Sequence, residues 1–115
     1  MIRTASGTIA LATGRPGIDL WLSTDPRGTN WQSVDIVAQH NRCMTAPGDR
    51  ISSFEINPNP YLSENTKWQT SSYTGLVEVA PNRLLLLYDR DPERIPLNSD
   101  DLSRVFVMPI EIESK

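Results

Sequence analysis

Proline and glycine are placed so as to break this chain into pieces too short for most helices. Nine prolines and six glycines fall between apolar runs that are only a few residues long, and each such break ends a helix or turns a strand. The pieces left between breaks are short for helices and of ordinary length for strands, so an all-β fold is expected.

Ser6-Gly7 separates a short strand at Ile2 to Ala5 from a second at Thr8 to Thr13, and Gly14-Arg15-Pro16-Gly17 then forces a tight turn. Ile18, Leu20 and Leu22 alternate with Asp19, Trp21 and Ser23, the period-two pattern of a strand with one face more deeply buried. After the turn Asp25-Pro26-Arg27-Gly28, residues Trp31 to Ala38 are expected to form a fourth strand, although Trp31, Val34 and Ala38 also share one helical face. His40 to Thr70 is polar and proline-rich, with Asn57-Pro58-Asn59-Pro60 at its centre and an ordered piece at Ile51 to Ile56. A loop of this length is expected to carry function or to lie across another element.

The strand pattern restarts at Tyr73 to Ala80, turns at Pro81-Asn82 and returns through Arg83 to Tyr88, whose leucines face both ways as in a strand covered on two sides. In the last run, Arg104 to Ile112, Pro109 has no amide hydrogen to give a ladder, which predicts a sheet edge or a bulge. At 115 residues this is a single domain: a first unit at 1–39, a loop at 40–70 and a second unit at 71–115. Two meander sheets of about four strands each suggest propeller blades, and a small sandwich or open barrel of seven strands is the alternative.

Composition narrows the chemistry. A formal charge of -3 gives no basic field for nucleic acid or for an anionic membrane surface. The longest apolar run, Leu84 to Tyr88, is far short of the ~18 residues of a membrane span, and Met1 to Arg15 lacks the plan of a signal peptide, so the chain as given is expected to be soluble. One cysteine, Cys43, and one histidine, His40, rule out an intrachain disulfide and multi-histidine or multi-cysteine metal sites. No metal or cofactor is expected.

Three stretches carry a resemblance: Gly14-Arg15-Pro16-Gly17-Ile18 running into Leu20-Trp21-Leu22-Ser23; Ser23-Thr24-Asp25-Pro26-Arg27-Gly28-Thr29-Asn30-Trp31; and Ser71-Ser72-Tyr73-Thr74-Gly75-Leu76 with Asn82-Arg83-Leu84-Leu85-Leu86-Leu87-Tyr88-Asp89. Together they resemble the C-terminal blades of the sialidase-like, Asp-box-repeat β-propellers. The box here departs from the family pattern Ser-x-Asp-x-Gly-x-Thr-Trp by one extra residue between Asp25 and Gly28, and Thr29 follows the glycine directly. Turn chemistry accounts for Ser23, Asp25, Gly28 and Trp31: hydrogen bonding of turn amides, a positive φ, and an indole lid.

The resemblance implies a glycoside hydrolase acting on acidic sugars, with Tyr73 as nucleophile. A neutral phenol suits a substrate whose own carboxylate would repel an Asp or Glu nucleophile, though a phenol needs a base to take its proton. The plain alternative is a strand-end tyrosine that packs its ring and wets its hydroxyl. Arg15 would clamp the sugar carboxylate, with His40 and Arg90 at the same rim. Equally, Arg15 is an ordinary turn arginine, His40 caps a strand end and Arg90 makes local ion pairs with Asp89 or Asp91. The family's cleft spans six blades and this chain supplies about two, so a complete site requires a longer propeller or self-association, three copies closing a ring. A non-catalytic carbohydrate-binding or assembly module with the same blades is the alternative function.

Overall fold

The computed structural model describes residues 1–14, 17–44, 70–90 and 104–113. The ordered piece expected at Ile51 to Ile56 lies outside them. The elements are β1 (Ile2–Arg3), β2 (Ile9–Gly14), β3 (Ile18–Ser23), β4 (Gln32–Asp35), α1 (Ile36–Cys43), β5 (Thr70–Ala80), β6 (Arg83–Arg90) and β7 (Arg104–Glu111). They form two antiparallel meanders, one four-stranded in the order β1-β2-β3-β4 and one three-stranded in the order β5-β6-β7, neither closed on itself.

The period-two pattern decides which way each sheet faces. Register pairs Ala10 with Leu22, Ala12 with Leu20, and Leu20 with Val34, which puts Ala10, Ile18 and Leu20 on one side of the first sheet. In the second sheet Leu76 pairs with Leu86, Leu84 with Ile110, Leu86 with Met108 and Tyr88 with Phe106. These two inner sides meet in a single core of Ala10, Ile18, Leu20, Ile36, Val37, Leu84, Leu86 and Tyr88. Each large aliphatic side chain buried there contributes about 1.5–3 kcal/mol relative to exposure.

Polar ties fix the two sheets at one end. The Glu78 carboxylate on β5 accepts from the backbone amide of Ala5 at 2.8 Å and from that of Asn82 at 3.1 Å, while the Ser6 hydroxyl donates to Asn82 Oδ1 at 2.6 Å. The β1–β2 turn of one sheet is thereby stapled to the β5–β6 turn of the other.

β5 begins at Thr70 rather than Tyr73 and β6 runs on to Arg90, and two further departures from the sequence expectation change the kind of element. The first strand stops at Arg3, because Thr4 to Gly7 close a turn in which the Gly7 amide donates to Thr4 O at 2.9 Å. The fourth strand ends at Asp35, and Ile36 onward is helix. Asp35 is the cap: its Oδ1 accepts the Ala38 amide at 2.9 Å, which satisfies a donor that a strand would have sent to a neighbour. The helix then buries Ile36, Val37 and His40, and His40 to Cys43, expected to begin the long loop, complete it. Pro109 is found where its missing amide does no harm, on the edge strand β7 opposite Leu85.

Candidate functional site

The turn joining β3 to β4 is built around one carboxylate. Asp25 accepts from the amides of Arg27 at 3.0 Å and Thr29 at 3.1 Å, and from the Thr29 hydroxyl. Those donors, the Thr29 hydroxyl foremost, hold its carboxyl below the usual range. Gly28 sits at φ 62, and a Cβ there would lie 3.4 Å from both Ile9 Cδ1 and Trp31 Cζ2. Trp31 Nε1 donates to Gly28 O at 2.7 Å, so the indole closes over the turn. Ser23 is buried and donates its hydroxyl to Asp25 O at 3.3 Å. Each of these groups is occupied within the turn.

His40 is fully buried, on the inner side of α1. Its Nδ1 lies 2.7 Å from the Tyr88 hydroxyl, and the tautomer sets which of the two donates. The ring stands edge-on to Tyr88 and to Phe106, with centroids 5.7 and 4.6 Å away, while Tyr88 and Phe106 stack on each other at 5.6 Å. Burial, followed by the nearby Cys43, pushes the Tyr88 phenol up to about 12. This cluster pins the helix to the three-stranded sheet. A zero exposure keeps the imidazole from meeting a ligand at a cleft rim, where the sequence placed it.

Tyr73 has the opposite environment. It lies in the irregular stretch of β5 between Thr70 and Thr74, where the ladder with β6 shifts register, and it is 77% exposed. The alternation along β5 turns it away from the core together with Gly75, Val77 and Val79. Arg90 ends β6, its backbone opposite Thr70 and Arg104. Arg15 lies outside the described residues. The structure therefore brings Tyr73 and His40 to no common point: one phenol is on the outward side of the second sheet, and the imidazole is beneath its inward side.

Sequence reasoning missed what surrounds Tyr73. The outward side of the β5-β6-β7 sheet carries Val77, Val79, Leu87, Val105 and Val107, all large apolar side chains exposed by 37–69%, with Leu85 and Pro109 between them in register. The leucines of β6 do face both ways, but one of the two faces is open. Asp89 borders this face, next to Val105 in register, and its Oδ1 is shut off from water with no hydrogen-bond partner. The signal was present in the sequence as an apolar residue at nearly every position of Leu84 to Tyr88.

Among the described residues no three His, Cys, Asp or Glu side chains gather to hold a metal ion, and no helix there is long and apolar enough to cross a membrane. No protein-family model, curated protein or solved structure matches this chain.

Proposed function

We propose that this chain is a sialidase-like, blade-forming module of a glycoside hydrolase for acidic sugars, incomplete until further sheet packs on its open side. The observation that carries this reading is the aliphatic outward face of the β5-β6-β7 sheet with the exposed Tyr73 at its corner. Isolated soluble domains rarely expose a contiguous apolar patch beyond a few hundred Å² unless something covers it. Two meanders packed face to face, with a capped Asp25–Gly28–Trp31 turn between β3 and β4, agree with consecutive blades of a propeller.

In this reading the Tyr73 oxygen bonds to the anomeric carbon of a sugar that carries its own carboxylate as the glycosidic C–O bond breaks. The phenol's proton goes to a base and the departing oxygen takes one from an acid, both supplied by the sheet that completes the site, while Arg15 and Arg90 supply guanidinium groups for the carboxylate. His40 has a structural task only. The test is turnover of a fluorogenic sialoside by the chain and by Tyr73→Phe, which removes one oxygen from an exposed side chain. Turnover that vanishes in Tyr73→Phe supports the reading; turnover that survives it overturns Tyr73 as nucleophile. A second reading, a non-catalytic carbohydrate-binding or assembly module, is favoured by the separation of His40 from Tyr73. It predicts no turnover with either chain, and binding of an acidic sugar that is indifferent to the substitution.

A further inference from the structure

The outward face of the β5-β6-β7 sheet has a definite occupant: we propose that it is a second copy of this chain, packed back to back about a two-fold axis lying across the strands. This rests on the reading above only in taking that face as an assembly surface.

Area comes first. The exposed parts of Val77, Val79, Leu87, Val105 and Val107, with Leu85 and Pro109 between them, amount to an apolar patch on the order of 500 Å², at the upper end for a monomer and clear of Tyr73 at its corner. Two such faces pressed together bury about 1,000 Å², the lower bound of a specific interface. The centre of the face, Leu85, Leu87, Val107 and Pro109 in mutual register, carries no charge, so its burial leaves no unpaired ion.

The charges at the two ends then choose the orientation. Alternation along β6 puts Arg83, Leu85, Leu87 and Asp89 on one side of the strand, with Arg83 opposite Glu111 and Asp89 opposite Val105. Arg83 shares its end of the face with Glu111 and makes no ion pair among the described residues, whereas Asp89 stands at the other end beside Val105. The two residues lie roughly 20 Å apart along the strand. An axis parallel to the strands would stack Asp89 on Asp89 of the other copy. An axis across them reverses the strand direction and sets Arg83 of each copy over Asp89 of the other. Sheets pack about 10 Å apart, which an arginine and an aspartate span together. In that register Leu87 lies over Leu85 of the second copy, Val107 over Pro109, and Val77 over Gly75, whose missing side chain leaves it room.

The same argument disfavours the three-copy ring. A ring packs this face on the outward side of the β1-β2-β3-β4 sheet, where Asp19 and Asp35 are direct cross-strand partners. Both carboxylates would then meet aliphatic side chains and Asp89.

Sedimentation of the full chain from about 1 to about 100 µM, the range that populates an interface of this size, tests the pairing. The expected result is a monomer–dimer equilibrium that Val107→Asp weakens by about tenfold or more, the aspartate being solvated in the monomer and buried in the dimer. Arg83→Asp and Asp89→Arg should each weaken it about tenfold, and the double variant should restore it to within about threefold. Far-UV circular dichroism of each variant checks that the fold is retained. Trimers or hexamers, a dimer indifferent to Val107→Asp, or charge reversals that do not rescue each other would overturn the proposal. So would a monomer throughout the range. In that case binding of an apolar dye, lost in Val107→Asp, would show that the face is open and preserve the assembly reading, whereas a monomer that binds no dye sinks both.

Discussion

Removing one buried oxygen, in Tyr88→Phe, probes the joint between the helix and the three-stranded sheet. The phenol is 2% exposed and its hydroxyl lies 2.7 Å from His40 Nδ1. The substitution keeps the ring, and with it the stacking on Phe106 and the edge contact with His40. What is lost is the Tyr88 partner of a buried imidazole nitrogen, a loss worth about 1–3 kcal/mol. For a chain of 115 residues that is a fall in Tm of roughly 4–12 °C. Urea unfolding followed by tryptophan fluorescence measures it directly. His40→Phe should cost a comparable amount, because the Tyr88 hydroxyl loses its imidazole partner. The double variant His40→Phe/Tyr88→Phe removes both polar groups together, so its cost should fall below the sum of the singles by about 1–2 kcal/mol. Additive singles, or a Tyr88→Phe chain within about 0.3 kcal/mol of the parent, would refute the claim that this bond holds α1 on the sheet.

Three further outcomes follow from the same geometry. The Tyr88 phenol is raised from its ordinary value of 10 to about 12, so the folded chain keeps a proton there that the unfolded chain gives up; stability should fall as pH rises from 10 to 12, by about 2–3 kcal/mol more in the parent than in Tyr88→Phe, and parallel alkaline limbs would contradict this. Gly28→Ala forces a side chain into φ 62 against Ile9 and Trp31 and should cost about 1–2 kcal/mol with a change in Trp31 emission; a loss under about 0.5 kcal/mol would mean that the turn relaxes freely. Burial, and after it the facing Asp35, raise the Asp19 carboxyl, so its ionisation on going to neutral pH works against folding. Asp19→Asn should therefore raise Tm at pH 7, and the gain should shrink on acidification as the parent aspartate regains its proton. An unchanged or lower Tm at pH 7 would count against that origin.

Which features were legible beforehand depends on how local their physics is. The β5–β6 hairpin at Pro81-Asn82 and the edge position of Pro109 follow from backbone rules that act within a few residues, and both stand in the fold. The switch from β4 to α1 was harder to read, since Val34, Ile36 and Ala38 keep period two while Ile36, Val37 and His40 share a helical side. The decision falls to Asp35, whose carboxylate takes the Ala38 amide out of competition for a ladder. His40 was misplaced for a different reason. Beside Gln39, Asn41 and Arg42 it belongs to a polar run, and only the tertiary partner Tyr88, 48 residues on, makes its burial tolerable.

Leu85 and Leu87 raise the same issue from the other direction. Their alternation with Leu84 and Leu86 says that both faces of β6 are apolar, which is the pattern of a strand between two layers. Within the described residues one layer is present, supplied by Ala10, Ile18 and Leu20, and the other side holds five exposed aliphatic residues and a carboxylate oxygen that neither water nor a donor reaches. The exposed aliphatic side chains call for a covering surface that is apolar in the middle and carries a guanidinium at the end over the Asp89 carboxylate. The chain's own face, turned end for end, has that distribution.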